Sequence, residues 1–227
     1  MARTRSGKLY NTLVAVAPTT PTKTTTPYVP FTPDEILKIG LATPTINLHE
    51  GLTPAMYAMW RAKCQITGIS RPRYYKVVME ILNTHGSIAL GHISDTKDTL
   101  LQWALGCLTI PTTHEEEKIL VKLIHTIIHH MDSPKEISTH NYNGVTPLFW
   151  AFYLAYEYRT YHKSIPKDKY LDGIIIHLLN KCAKKGWTHK DINFQGSWYR
   201  KFDDPKMFHI TDLTTPEINK RLVKFFL

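Results

Sequence analysis

Three histidines near the middle of the chain, His125, His129 and His130, are the nearest approach in this sequence to a chemical cluster. On a helix, His125 and His129 lie four residues apart on one face, a spacing that zinc sites use. No glutamate follows His125 as it does in a metalloprotease helix, and no third ligand is evident. The chain has twelve histidines, so some clustering is expected. The simpler reading is surface or helix-end imidazoles whose positive charge suits the negative end of a helix. No metal or other cofactor is expected. The signatures of phosphate-binding loops, serine elbows and dinucleotide-binding glycines are missing. The acids are too few and scattered for a catalytic pair. The sequence reads as a protein that is not an enzyme.

Binding chemistry is better represented than catalysis. Phe149, Trp150, Phe152, Tyr153, Tyr156, Tyr158 and Tyr161 crowd one region. Phe149, Phe152 and Tyr156 follow the three-and-four spacing of a buried helical face, so most of the set is expected in the core. Trp150 and Tyr153, with Trp60 and Trp103 elsewhere, are the candidates for contact with another protein, because tryptophan and tyrosine make strong interface anchors. Basic residues flank the same region. Lys163, Lys167, Lys181, Lys184 and Lys185, together with Arg3, Arg5 and Lys8 at the N-terminus, are the candidate polyanion contacts. Lysine is a point charge rather than a fork, so such a set is less specific for phosphate than arginines would be.

The totals limit what these residues can serve. The chain has 227 residues, a hydrophobic fraction of 43% and a net charge of +9, enough apolar content for a folded core. The charge is concentrated in the first 33 residues, which hold no acid, and in residues 159–201, where ten basic residues face Asp168, Asp172 and Asp191. Such segments could attract nucleic acid, anionic lipid or an acidic protein. Cys64, Cys107 and Cys182 are isolated and odd in number, which suits a reducing compartment. No apolar run approaches the length of a membrane span. The run "LVAVA" at 13–17 falls short of a secretory signal core. The expected location is intracellular, in the cytoplasm or nucleus, including that of a host cell.

The elements that must position these residues come next. Residues 1–31, rich in Pro and Thr, are expected to be a disordered basic arm, since prolines disfavour helix and few apolar side chains offset the ordering entropy. Thr20, Thr26, Thr32 and Thr43 each precede proline. Thr32-Pro33-Asp34-Glu35 starts a helix, with Thr as cap, Pro in the first turn and acids at the positive dipole end; Gly40 is expected to end it.

Self-similarity then governs the rest. "INLHEGLTPAMYAMW" (46–60), "SDTKDTLLQWALGCL" (94–108) and "HNYNGVTPLFWAFYLAY" (140–156) align on Thr53, Thr99 and Thr146, which are 46 and 47 residues apart. Ala58, Ala104 and Ala151 follow at one fixed distance. After each stretch comes a second apolar helix: "YYKVVMEILNTHG", "EEEKILVKLIHTIIHH" and "LDGIIIHLLNKCAKKG". A weaker fourth start is "DINFQGSWYRKF", followed by "TPEINKRLVKFFL". Asn143-Gly144 makes a tight turn, Thr146 caps a helix, Pro147 fits its first turn, and Leu148 and Ala151 face inward.

"NGVTPLFWA" resembles the G-x-T-P-L-H-x-A core of ankyrin repeats, and "EGLTPAMYA" is nearly as similar. "KDTLLQWA" departs from it, lacking the Gly and the Pro. The period also departs from the ankyrin length of about 33 residues, with the surplus mainly between the paired helices. The resemblance implies an all-α fold, a short solenoid of helix-turn-helix repeats at 46–93, 94–139 and 140–190, with a C-terminal cap at 191–227. It implies a non-enzymatic adaptor that binds another protein, and divergent repeats of this kind suit a pathogen- or virus-encoded, host-directed one. The alternative is a nucleic-acid-associated or virion structural protein that uses the basic tail and the basic C-terminal third.

Overall fold

The computed structural model describes residues 30–64, 70–90, 93–110, 112–159, 166–188 and 215–226. These are mostly helical, and no strand occurs among them. The helices are α1 (Pro33–Ala42), α2 (Pro54–Cys64), α3 (Arg71–His85), α4 (Leu100–Cys107), α5 (His114–His130), α6 (Lys135–Ser138), α7 (Pro147–Glu157), α8 (Pro166–Lys185) and α9 (Pro216–Phe226). A 3₁₀ turn, Gly86–Ala89, follows α3. The expected arm falls almost wholly outside the described residues, as does the weak fourth start at Asp191.

Periodic apolar residues make these helices and orient them. On α8, Leu171, Ile174, Ile175, Leu178, Leu179 and Cys182 are all buried, at the spacings of three and four that define one helical face. On α5 the same rhythm runs through Leu120, Leu123, Ile124, Ile127 and Ile128. Neither face is covered within its own helix, so the elements pack in pairs and the pairs pack on each other. α2 lies against α3, α4 against α5 and α7 against α8. The first helices also touch in succession, α2 on α4 and α4 on α7, and the second helices do the same, α3 on α5 and α5 on α8. α1 packs on α2 and α3 at one side, and α9 packs on α8.

The three aligned threonines do the same local work. Each is buried just ahead of a first helix, and each hydroxyl accepts an N–H three residues on. The pairs are Thr53 with Met56 (3.5 Å), Thr99 with Gln102 (3.3 Å) and Thr146 with Phe149 (3.2 Å). Such a cap satisfies an amide that the helix cannot, and contributes about 1 kcal/mol. Ala58, Ala104 and Ala151 are fully buried five residues after each threonine.

A closed turn precedes each threonine. The N–H of Leu48 donates to Leu52 O (2.9 Å), that of Ser94 to Asp98 O (3.1 Å) and that of Asn141 to Val145 O (3.1 Å). Two residues before the threonine the backbone is left-handed in all three: Gly51 at φ +74°, Lys97 at +59° and Gly144 at +73°. Glycine adopts that conformation without steric cost, and lysine does not. At Lys97 side chains also hold the turn, as Asn141 Oδ1 does in the third by accepting the N–H groups of Asn143 (3.0 Å) and Val145 (3.1 Å). Ser94 Oγ and Thr96 Oγ1 are 2.8 Å apart, Thr96 Oγ1 donates to Asp98 Oδ2 (2.8 Å), and Asp98 N–H donates to Ser94 Oγ (3.1 Å).

Gly40 corrects an expectation. α1 starts as the sequence predicts, with Thr32 and Glu35 in a reciprocal capping box. It does not stop at Gly40 but runs on to Ala42. A Cβ at Gly40 would lie 2.3 Å from Ile81 Cδ1 and 3.1 Å from Pro54 Cβ. The glycine serves close packing of α1 on α2 and α3, a long-range contact that local sequence does not reveal.

Candidate functional site

Counting from each threonine gives every residue of a first helix a counterpart on the other two. The second, fifth and sixth places are buried throughout: Ala55, Leu101 and Leu148; Ala58, Ala104 and Ala151; Met59, Leu105 and Phe152. The fourth and seventh places, three residues apart on one face, are closed at Tyr57 and Gly106 and partly open at the other four residues. The fourth holds Tyr57, Trp103 and Trp150; the seventh holds Trp60, Gly106 and Tyr153. Trp60, Trp103, Trp150 and Tyr153 are all half-buried, while Tyr57 and Gly106 are covered. All four protein-contact candidates from the sequence therefore fall on equivalent places of three adjacent helices. Tyr158 does not join them: it is buried, and its hydroxyl donates to Leu108 O at 3.0 Å.

The rings are held in place by their neighbours. Trp60 lies 5.5 Å from Tyr57 and 5.9 Å from His49 of the first turn, and Trp150 stacks on Tyr153 at 5.9 Å. Lys63 Nζ sits 5.4 Å from the Trp103 ring, in the space that Gly106 leaves by having no side chain. Cations over indole faces are favourable by about 0.5–1 kcal/mol where exposed. The indole N–H of Trp103 is buried and finds no acceptor among the described residues.

The turns extend this face. Asn141 Nδ2 donates to Asp98 Oδ1 (2.9 Å), and Gln102 Nε2 to Val145 O (2.7 Å), which ties the second turn to the third. Tyr142 at the third turn is 71% exposed, with Lys97 Nζ 5.4 Å from its ring. Tyr142 was not singled out from the sequence, although an aromatic residue immediately ahead of the Asn143-Gly144 turn is a readable sign of display.

The histidines have a different setting. His125 does meet a partner, but from α8: His125 Nδ1 and His177 Nδ1 are 2.7 Å apart. That separation is a hydrogen bond between one protonated and one bare nitrogen. Two nitrogens on one tetrahedral zinc at about 2.0–2.1 Å would stand well over 3 Å apart. Among the described residues no group of three His, Cys, Asp or Glu side chains is disposed to hold a metal ion. His177 was missed in the sequence because its partner is 52 residues away. The only local hint is an imidazole inside the apolar run of α8.

Burial pushes His125 and His177 below the usual histidine range, and the charges of His125, His129 and Lys181 add to the effect at His177. Burial does the same at His130. The unfolded chain therefore takes up protons before the fold does, and stability falls as pH drops below about 6.5. Glu136 and Glu157, raised by burial, act with the opposite sign at lower pH, so the clean window is roughly pH 7.5 to 5.5. Urea midpoints across that window are expected to decline in the native chain and to decline less steeply in His177→Gln. Equal slopes would rule out the pair as the source.

The basic candidates are partly committed to internal contacts. Lys181 Nζ donates to His129 O (2.5 Å) at the end of α5, and Lys185 pairs with Asp132 (2.7 Å). Lys184 is exposed. Lys167 lies in the first turn of α8, while Arg3, Arg5, Lys8 and Lys163 lie outside the described residues. No described helix is long and apolar enough to cross a membrane. Compared with protein-family models, with curated proteins and with solved structures, the chain matches none.

Proposed function

We propose that the chain is a short ankyrin-like solenoid that binds another protein through the aromatic face of α2, α4 and α7 and the adjoining turns. One observation carries this reading. Trp103 and Trp150 occupy the same place on neighbouring helices, both half-buried, while the places around them are closed. A core has no need to repeat a large amphipathic ring at its rim, whereas an interface anchor gains from being large, rigid and partly pre-desolvated. Lys63 and Lys97, both exposed and each over an aromatic ring, favour a partner that presents acidic and apolar side chains together.

The test is a pair of variants in the full chain. Trp103→Ala and Trp150→Ala are expected to weaken capture of the partner by roughly 30-fold each, the effect of losing about 2 kcal/mol at an anchor. Lys122→Ala, on the exposed side of α5, should leave capture unchanged. Loss of capture in Lys122→Ala alone would place the interface elsewhere. Random RNA titrated across a salt series tests the nucleic-acid alternative, which demands an affinity that falls steeply with salt.

A further inference from the structure

Between α5 and α8 lies a half-open surface depression of about 230 Å³ lined by His129, His177, Asn180, Lys181 and Lys184, of which His129, Asn180 and Lys184 are exposed. It is separate from the aromatic face and does not depend on it. Its lining offers two ammoniums, one amide and two imidazoles, and no carboxylate. Both acids that act on Lys181 are already engaged, because Asp132 is bonded to Lys185 and Glu136 accepts the N–H groups of Asp132 and Ser133. Lys184 pairs with no carboxylate among the described residues. Its size is below that of a cavity for a drug-sized ligand and suits a small, highly polar group.

The charges are arranged against themselves. Lys181 is held below the usual lysine range by burial first and then by Lys185 and Lys184, with Asp132 and Glu136 working the other way. His177 is held down by burial and then by His125, His129 and Lys181. Like charges kept together in a shallow depression repel one another, less than in a dry interior because solvent screens them, and an anion placed among them converts each repulsion into an attraction.

We propose that this depression binds a phosphate-class oxyanion, a phosphate or pyrophosphate group carried by a small molecule or by a lipid headgroup. Lys181 and Lys184 supply charge. The amide of Asn180 and the ring N–H groups of His129 and His177 supply direction, and the several oxygens of such an anion match the several donors.

The experiment titrates the full-length protein with pyrophosphate near pH 7 and about 150 mM salt, while the ring protons of the histidines are followed by NMR. The signals of His129 and His177 are expected to move together along one binding curve, with those of His49 and His85 still. Asn180→Asp, which keeps the shape and adds a carboxylate to the lining, should weaken binding at least about tenfold, with an unfolding midpoint no lower than that of the native chain. Lys184→Gln should weaken it about three- to tenfold. Vesicles bearing phosphatidylinositol phosphate, set against vesicles of phosphatidylserine, identify the source. Binding to the former that pyrophosphate displaces assigns the group to a lipid, and a response to pyrophosphate alone assigns it to a soluble anion. The proposal is overturned by still histidine signals up to about 10 mM pyrophosphate with no vesicle binding. It is equally overturned by identical curves in Asn180→Asp, or by binding to random RNA without any response to pyrophosphate.

Discussion

Phe152→Ala is expected to lower the unfolding free energy by about 3–5 kcal/mol, read as a shift of the urea midpoint at unchanged slope. Phe152 has no exposed surface and sits six residues after Thr146, the place held by Met59 on α2 and Leu105 on α4. All three are fully buried, so truncation of Phe152 removes transfer energy and leaves a cavity. Trp150, two residues earlier on the same helix, provides the control. It is the larger ring, yet it is only half-buried. Its replacement by alanine should cost less stability and more binding. The pair of variants thus separates what holds the stack from what the stack displays. A loss under about 1 kcal/mol at Phe152 would show that the sixth place is not core and would undo the counting from threonine on which the candidate face rests.

That counting was legible in the sequence because it rests on local chemistry. A threonine that caps, a proline in the first turn and a small residue five places on are decided within one helical turn, and they recur at Thr53 and Thr146 with little change. The second stretch was harder to read for an equally local reason. Lys97 stands where the others have glycine, in a left-handed turn to which Ser94, Thr96 and Asp98 contribute hydrogen bonds. What could not be read depends on contacts between distant residues. Gly40 looks like a helix stop until Ile81 and Pro54 are seen pressed against it. His177 looks like an ordinary helical histidine until His125 is found 2.7 Å away. The aromatic face falls between these cases. Each ring was recognisable as an anchor from its type, but their equivalence on adjacent helices appears only once α2, α4 and α7 are side by side.

Gly51→Ala is expected to cost about 2–3 kcal/mol, far more than one added methyl at a surface turn would suggest. Its backbone is left-handed at φ +74°, where a Cβ is strained by roughly 1 kcal/mol. The new carbon would also lie 2.3 Å from Asp95 Oδ1 and 2.8 Å from Asp95 N. The carboxylate of Asp95 can swing into solvent. Its backbone nitrogen cannot, because it belongs to the turn closed between Ser94 and Asp98. The first turn would have to lift off the second, which is the contact that aligns the row of turns. Lys97→Gly addresses the same geometry with the opposite sign. Relief of the left-handed strain contributes about 1 kcal/mol, and the exposed contact of Lys97 with Tyr142 gives up about 0.5 kcal/mol, so a small net gain in urea midpoint is expected. A Gly51→Ala cost of only about 1 kcal/mol would mean that strain acts alone and that the turns do not lean on each other. A net loss from Lys97→Gly would mean that the lysine over Tyr142 matters more than the backbone beneath it.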